Sequence, residues 1–125
     1  MSKILIVEDH ADIRRLIRMT LDFAEVGGEV HEAADGCAGL EAARALQPDL
    51  VLLDVMMPGG VDGLSLCRQL RTDPALQRTS VVMLSALGSV ADRAAGLSAG
   101  AQAYLVKPFS PLQLIETIGE LPLAA

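Results

Sequence analysis

The chain has 125 residues, of which 51% are hydrophobic, a length that suits one domain with a well-filled core and is too short for two. Its formal net charge of -6 argues against nucleic acid as a direct partner, because phosphate contacts need clustered Lys and Arg. The only cysteines are Cys37 and Cys67, so we exclude a disulfide framework and a zinc site and expect two small core thiols in a reducing compartment.

Five short apolar runs alternate with five helical patterns along the chain. The runs cover residues 3–7, 29–33, 50–53, 80–84 and 103–106. No long linker, repeat or low-complexity segment separates them. Strands and helices of this length that alternate predict a parallel sheet with helices on both faces.

The helical patterns are bounded by recognisable start and stop signals. In the first, the apolar face comprises Ile13, Leu16, Ile17, Thr20, Leu21 and Ala24, and three arginines lie off it: Arg14, Arg15 and Arg18. We interpret these arginines as a solvated face, with docking of a partner as the alternative. The later helices are predicted from Asp35-Gly36 to about Leu46, around Leu64, Cys67 and Leu70, from Ser89 to Gly100, and from Ser110-Pro111 with a buried stripe of Leu112, Ile115 and Ile118.

The order of the strands follows from their polarity. Apart from Lys3 and Ser80 at their starts, residues 3–7, 50–53 and 80–84 are apolar, as strands buried on both faces must be, so they belong in the middle of the sheet. Residues 29–33 alternate and 103–106 carry Tyr104, which places both runs at the edges. With right-handed crossovers the order becomes 2-1-3-4-5, an α/β, flavodoxin-like doubly wound sheet with five helices.

Polar side chains follow the strands at the rim where such sheets bind ligands. They are Glu8 and Asp9 after the first run, Asp54 after the third, Ser85 after the fourth and Lys107 after the fifth. Two carboxylates about 4 Å apart repel by about 4 kcal/mol at an effective dielectric of 20, so the rim needs a partner. Lys107 or a hard divalent cation such as Mg²⁺ would serve. Glu8 and Asp9 taken alone would read as loop and helix-start charges.

The set resembles the receiver domain of two-component response regulators over the whole chain, residues 1–125. The matching pieces stand in order at the family's spacing: Glu8-Asp9, Asp54 with Met57-Pro58 and Asp62-Gly63, Ser85-Ala86, and Lys107-Pro108-Phe109. One departure is Gly59-Gly60-Val61, three residues where the family usually has two. The extra residue is expected to reshape the entry to the third helix, with an effect on kinase recognition or phosphoryl lifetime.

The resemblance implies a role for each rim residue. Asp54 would be the phosphoacceptor, and Mg²⁺ would be held by Asp9, Asp54 and the main-chain carbonyl of Met56, with Glu8 assisting through water. Lys107 would pair with a phosphoryl oxygen, which agrees with the need to neutralise charge in phosphoryl transfer.

Ser85 and Tyr104 would form the switch. Ser85 would bond the phosphoryl group and Tyr104 would turn inward; the alternatives are a hydroxyl satisfied by its own backbone and an aromatic covering the core. The resemblance also implies a cis Lys107-Pro108 bond, although cis is rare for Xaa-Pro bonds in general.

The resulting hypothesis is a phosphorylation-activated signalling switch rather than an enzyme with an external substrate. A sensor histidine kinase or histidine phosphotransfer protein would phosphorylate it. The surface of the fourth helix, fifth strand and fifth helix would then bind a downstream protein, an output domain or, in a homodimer formed on activation, a second copy of the chain. An interaction module that is never phosphorylated is one alternative. An aspartyl-phosphate phosphohydrolase is another, but that family has a second aspartate where this chain has Met56.

Location is inferred from what the sequence lacks. The start of the chain has no signal-peptide pattern and no apolar stretch approaches the roughly 18 residues of a membrane span, so we expect a cytoplasmic protein without membrane contact. A complete single-domain regulator and a fragment of a longer protein both remain open.

Overall fold

The computed structural model describes residues 2–24, 28–56 and 62–121. Its strands are β1 (Ser2–Val7), β2 (Gly28–Ala33), β3 (Leu50–Asp54), β4 (Ser80–Ser85) and β5 (Ala103–Val106). Its helices are α1 (Ala11–Phe23), α2 (Gly36–Leu46), α3 (Gly63–Thr72), α4 (Val90–Ser98) and α5 (Pro111–Gly119), with a 3₁₀ turn at Pro74–Leu76. Among the residues so described, no helix is long and apolar enough to cross a membrane.

The strands form one parallel sheet in the order β2-β1-β3-β4-β5, which confirms the predicted flavodoxin-like architecture. β3 and β4 are buried along their whole length, whereas every residue of the edge strand β5 is half-buried. Pairing of Val7 with Leu53 brings the carboxyl ends of β1 and β3 to the same level. β4 and β5 extend to this rim as well, since Ser85 pairs with Val106.

Each face of the sheet has its own hydrophobic core, because side chains alternate along a strand. Leu5, Val7, Val51 and Leu53 face α2 and α3, while Ile4, Ile6, Leu50 and Leu52 face α1 and α5. Each of these side chains is fully buried and so contributes about 1.5 to 3 kcal/mol. Packing on both faces keeps the sheet rigid and so fixes the positions of the residues at the carboxyl ends of its strands.

Side chains with short polar groups start four of the helices, as the sequence predicts for three of them. The Asp35 carboxylate accepts a hydrogen bond from the Ala38 N–H, and Ser89 and Ser110 form capping boxes with Asp92 and Gln113. Asp62 caps α3 in the same way, by accepting from the Ser65 N–H at 2.8 Å.

The burial predictions for Leu112 and Cys37 are wrong, and Leu16 of the predicted apolar face of α1 is exposed as well. Leu16 and Leu112 are 45% and 62% exposed, because they line an apolar groove between α1 and α5 instead of facing the sheet. The buried positions of α5 are Leu114 and Ile118. Cys67 is buried as predicted but Cys37 is exposed, since α2 turns its small residues, Gly36, Gly39 and Ala43, toward the core.

Candidate functional site

The sheet brings the predicted acidic side chains together at its carboxyl rim. β1 leads into Glu8 and Asp9, and β3 ends on Asp54. Ligand atoms of these three carboxylates and of His10 all lie within 4.8 Å of one another. Glu8 is fully buried and Asp54 is 2% exposed, so neither charge is balanced by water.

Lys107 supplies the positive charge of the cluster from the end of β5. Its Nζ lies 2.5 Å from Glu8 Oε1 and 3.5 Å from Asp54 Oδ1. The backbone fixes this approach, since the Lys107 N–H donates to the Ser85 carbonyl at 2.8 Å and the Lys107-Pro108 bond is cis, as predicted. The side chain of Lys107 is itself only 17% exposed, so the ion pair is weakly screened by solvent.

The pKa values of the two buried carboxyl groups, Asp54 and Glu8, are shifted in opposite directions. Burial, together with the hydrogen bonding and charge of Glu8, raises the pKa of Asp54 to about 7. Burial acts to raise the pKa of Glu8 as well, but interactions with Asp54 and Lys107 more than offset it and lower the pKa to about 2. The physical cause is proximity: the ammonium lies closer to Glu8, which keeps its charge, and Asp54 takes up the shared proton.

The donor set fits a hard divalent cation. Asp9 Oδ1 is buried and, among the described residues, is the buried side-chain oxygen that has no hydrogen-bond partner. A metal ion would satisfy it, and carboxylate oxygens are the ligands that Mg²⁺ takes in proteins. Met56 lies two residues after Asp54, and its N–H donates to Asp54 Oδ1 at 3.1 Å, so its carbonyl belongs to the same loop.

Gly63 keeps the backbone of β3 and α3 in contact beside the site. A Cβ at this position would lie 2.3 Å from the Asp54 carbonyl oxygen, closer than real Cβ contacts, and the Gly63 N–H donates to the Val55 carbonyl at 3.0 Å. Only glycine allows this approach. The sequence marked Asp62-Gly63 as a motif, and the structure supplies the steric reason.

The two predicted switch residues meet at Leu87, in the loop between β4 and α4. Ser85 is fully buried and its Oγ accepts a hydrogen bond from the Leu87 N–H at 3.1 Å. The Tyr104 hydroxyl donates to the Leu87 carbonyl at 2.7 Å, and its ring packs against Gly96 of α4. In this structure Ser85 therefore has a hydrogen-bond partner in the nearby backbone, and Ser85 and Tyr104 both bond to the main chain of Leu87.

Two site residues were missed by sequence reasoning, His10 and Arg14. His10 Nδ1 lies 3.2 Å from Asp9 Oδ1 and 3.5 Å from Glu8 Oε2. Arg14 donates from Nη1 to the Glu8 main-chain oxygen at 2.7 Å and from Nε to Glu32 at 3.2 Å. The solvated-face interpretation of the arginines is thus wrong for Arg14, because one helical turn after the acidic pair its guanidinium reaches back to the loop. No sequence periodicity signals such a contact.

A pocket of about 370 Å³ opens over the cluster, lined by His10, Ile13, Asp54, Met56, Ala86 and Lys107. Asp54, which is otherwise buried in the core, therefore lines an open pocket. Met57-Pro58 and the Gly59-Gly60-Val61 insertion lie outside the described residues.

Comparison with known proteins assigns a family to this arrangement. The family model for the response regulator receiver domain matches residues 4–119. A probable transcriptional regulator ycf27 of Cyanophora paradoxa is 45% identical over 96% of this chain and 48% of its own length. The DNA-binding dual master transcriptional regulator RpaA of Synechocystis sp. is 40% identical over 97% of this chain and 49% of its own length. The chain spans about half the length of these curated relatives.

Solved structures agree with the assignment. The chemotaxis protein CheY4 of Vibrio cholerae superposes with a TM-score of 0.87 at 33% identity, covering 97% of this chain and 98% of that protein. A response regulator 1452 receiver domain from Francisella superposes with a TM-score of 0.83 at 34% identity, over 95% of this chain and 94% of the other. The chain belongs to the family of response regulator receiver domains.

Proposed function

We propose that this receiver domain is a Mg²⁺-dependent switch that is activated when Asp54 accepts a phosphoryl group. The donor would be a sensor histidine kinase or a histidine phosphotransfer protein in the cytoplasm. The observation that carries the proposal is the buried position of Asp54 between Glu8, Asp9 and Lys107, beneath a pocket of about 370 Å³.

The proposed chemical step uses the side chains of this site. A carboxylate oxygen of Asp54 forms a bond to phosphorus as the bond from phosphorus to the donor's imidazole nitrogen breaks, and that nitrogen keeps the electron pair. The carboxylate is an anionic nucleophile once ionised, so a general base is not required. The domain would catalyse only its own phosphorylation and dephosphorylation, without an external substrate. In the second step water forms a bond to phosphorus as the bond from phosphorus to the Asp54 oxygen breaks, which releases inorganic phosphate and restores the carboxylate.

Charge neutralisation makes the step feasible. Glu8, Asp9, Asp54 and the carbonyl of Met56 would hold Mg²⁺ directly or through water, and the chemistry supplied by the bound ion is neutralisation of the equatorial phosphoryl oxygens. Lys107 lies 3.5 Å from Asp54 Oδ1 and would exchange its ion pair with Glu8 for one with the phosphoryl group. Part of the charge on Lys107 is therefore available at the reacting carboxylate before the group arrives.

The readout would begin at Leu87. Donation of a hydrogen bond from the Ser85 hydroxyl to a phosphoryl oxygen would turn the Ser85 side chain toward the phosphoryl group and so break the bond that its Oγ accepts from the Leu87 N–H. Movement of Leu87 would then take from Tyr104 its partner on the same residue. A hydrogen bond to a charged group contributes about 1.5 to 3 kcal/mol, which shifts a balanced two-state loop tenfold or more. The surface of α4, β5 and α5 would change with it and address an output domain, a downstream protein or a second copy of the chain.

Incubation with acetyl phosphate, with and without Mg²⁺, followed by intact mass measurement, tests the proposal. We expect one phosphoryl group on the wild type in the presence of Mg²⁺ and none on Asp54→Asn. Asp22→Asn, which removes an exposed carboxylate from α1, is the matched control and should be modified like the wild type. Labelling that ignores Mg²⁺, or that persists in Asp54→Asn, would contradict the proposal, and no labelling at all would favour an interaction module that is not phosphorylated.

A further inference from the structure

His10 stands at the edge of the acidic cluster without a structural task of its own. It is the N-cap residue of α1, yet its side chain makes no capping hydrogen bond, whereas Ser, Thr, Asp or Asn at this position would. The side chain is 65% exposed, so it does not contribute to the packing of the core either. Its imidazole is nevertheless turned toward the carboxylates of Glu8 and Asp9.

The contact between His10 and Asp9 is unusual. Nδ1 lies 3.2 Å from Asp9 Oδ1, within hydrogen-bond distance, but Asp9 Oδ1 has no hydrogen-bond partner among the described residues. The two atoms are thus close together without the alignment of a donor and an acceptor. A nitrogen and an oxygen placed in this way can share one cation that lies between them.

The distances around the cluster fit a single ion. Ligand atoms that sit about 2.1 Å from one ion are at most about 4.2 Å apart. The chosen ligand atoms of Glu8, Asp9, His10 and Asp54 lie within 4.8 Å of one another, so small side-chain rotations close the set. Three of the four positions are carboxylates, which suit Mg²⁺, and the fourth is an imidazole, which suits first-row transition metals.

We infer that His10 is an additional metal ligand and that it sets the ion preference of this site, so that Co²⁺ is bound more tightly relative to Mg²⁺ than the carboxylates alone would bind it. The inference deepens the proposed function, on whose metal site it rests. It assigns to this chain a site that works with Mg²⁺ and accepts a transition-metal ion when one is available.

The chain offers a matched control, because its second and last histidine, His31, lies on β2 beside Glu29 and away from the cluster. Calorimetric titration of Co²⁺ and of Mg²⁺ into the wild type, His10→Ala and His31→Ala gives the ion preference of each protein. Removing a residue that only supports a metal ligand already lowers metal affinity by about 10 to 100-fold. Removing the proposed ligand itself in His10→Ala should therefore lower the affinity for Co²⁺ by at least about tenfold. Mg²⁺ affinity should change less than about threefold, and His31→Ala should leave both affinities unchanged.

Spectroscopy supplies a readout that is independent of affinity. Mn²⁺ bound to the wild type should show electron spin-echo modulation from imidazole nitrogen, which His10→Ala should abolish and His31→Ala should retain. Equal affinity changes for Co²⁺ and Mg²⁺ in His10→Ala, or no nitrogen modulation in the wild type, would overturn the inference. Mg²⁺-dependent labelling of Asp54 would still stand in that case, whereas loss of labelling with a retained nitrogen signal would refute the proposed function alone.

Discussion

Replacing Asp54 by Asn should stabilise the domain in the absence of metal, and by an amount that depends on pH. The pKa of this carboxyl is raised from 3.8 to about 7 by burial and by the adjacent Glu8. At about 1.4 kcal/mol for each pH unit, ionising Asp54 in the folded state costs about 4 kcal/mol more than in the unfolded chain. The asparagine side chain is not ionised and does not carry this cost.

The sign of the pH dependence follows from proton binding. Between pH 4 and pH 7 the folded state keeps the Asp54 proton that the unfolded chain has lost, so the stability of the wild type falls as pH rises through this range. The gain in free energy of unfolding for Asp54→Asn should therefore be close to zero near pH 4 and about 4 kcal/mol at pH 8. Glu8 does not mask this trend, because its pKa is lowered from 4.5 to about 2 and its contribution to stability therefore changes only below about pH 4.5.

Urea unfolding followed by circular dichroism, in chelator-treated buffer from pH 4 to pH 8, measures this difference. Asp22→Asn, at an exposed site, serves as the control and should stay parallel to the wild type. A stability gain that is the same at every pH, or a loss at pH 8, would refute the electrostatic reasoning, since neither outcome follows from a carboxyl group that holds its proton until pH 7.

Two further substitutions test the packing and the charge of the site. Gly63→Ala places a Cβ against the carbonyl of Asp54 and should lower the free energy of unfolding, measured in urea, by about 3 kcal/mol. In the control Gly119→Ala a Cβ meets nothing within 4 Å, so the free energy of unfolding should stay the same or rise by up to about 1 kcal/mol. Equal effects of the two substitutions would contradict the steric account. Lys107→Met leaves the Glu8 carboxylate buried without its cation and should destabilise the domain by about 3 to 5 kcal/mol at pH 8, as measured by the same method. A variant as stable as the wild type at pH 8 would show that the ion pair does not hold the site together.

The sequence was sufficient for the sheet and for the composition of its rim. A strand buried on both faces shows an uninterrupted apolar run, as residues 50–53 of β3 and 81–84 of β4 do, and the strand order follows from these runs. The rim residues followed from the strand ends, and Glu8, Asp54 and Lys107 do meet there.

What the sequence could not give is side-chain direction where regular structure begins or ends. His10 stands at the start of α1, where periodicity carries no information on where an imidazole turns. The exposed Leu112 lies in the first turn of α5, and its face is decided by how that helix meets α1. Position 63 requires glycine because its backbone contacts that of Asp54, and such a contact produces no pattern in a single sequence.

The most direct test of the central claim locates the phosphoryl group in the chain. After treatment with acetyl phosphate and Mg²⁺, borohydride reduces an acyl phosphate on aspartate to homoserine, and peptide mass spectrometry finds the position. The account predicts homoserine at position 54 only when Mg²⁺ is present, with Asp9 and Asp62 unmodified. Homoserine at either of those positions, or at position 54 in chelator-treated samples to the same extent, would contradict it.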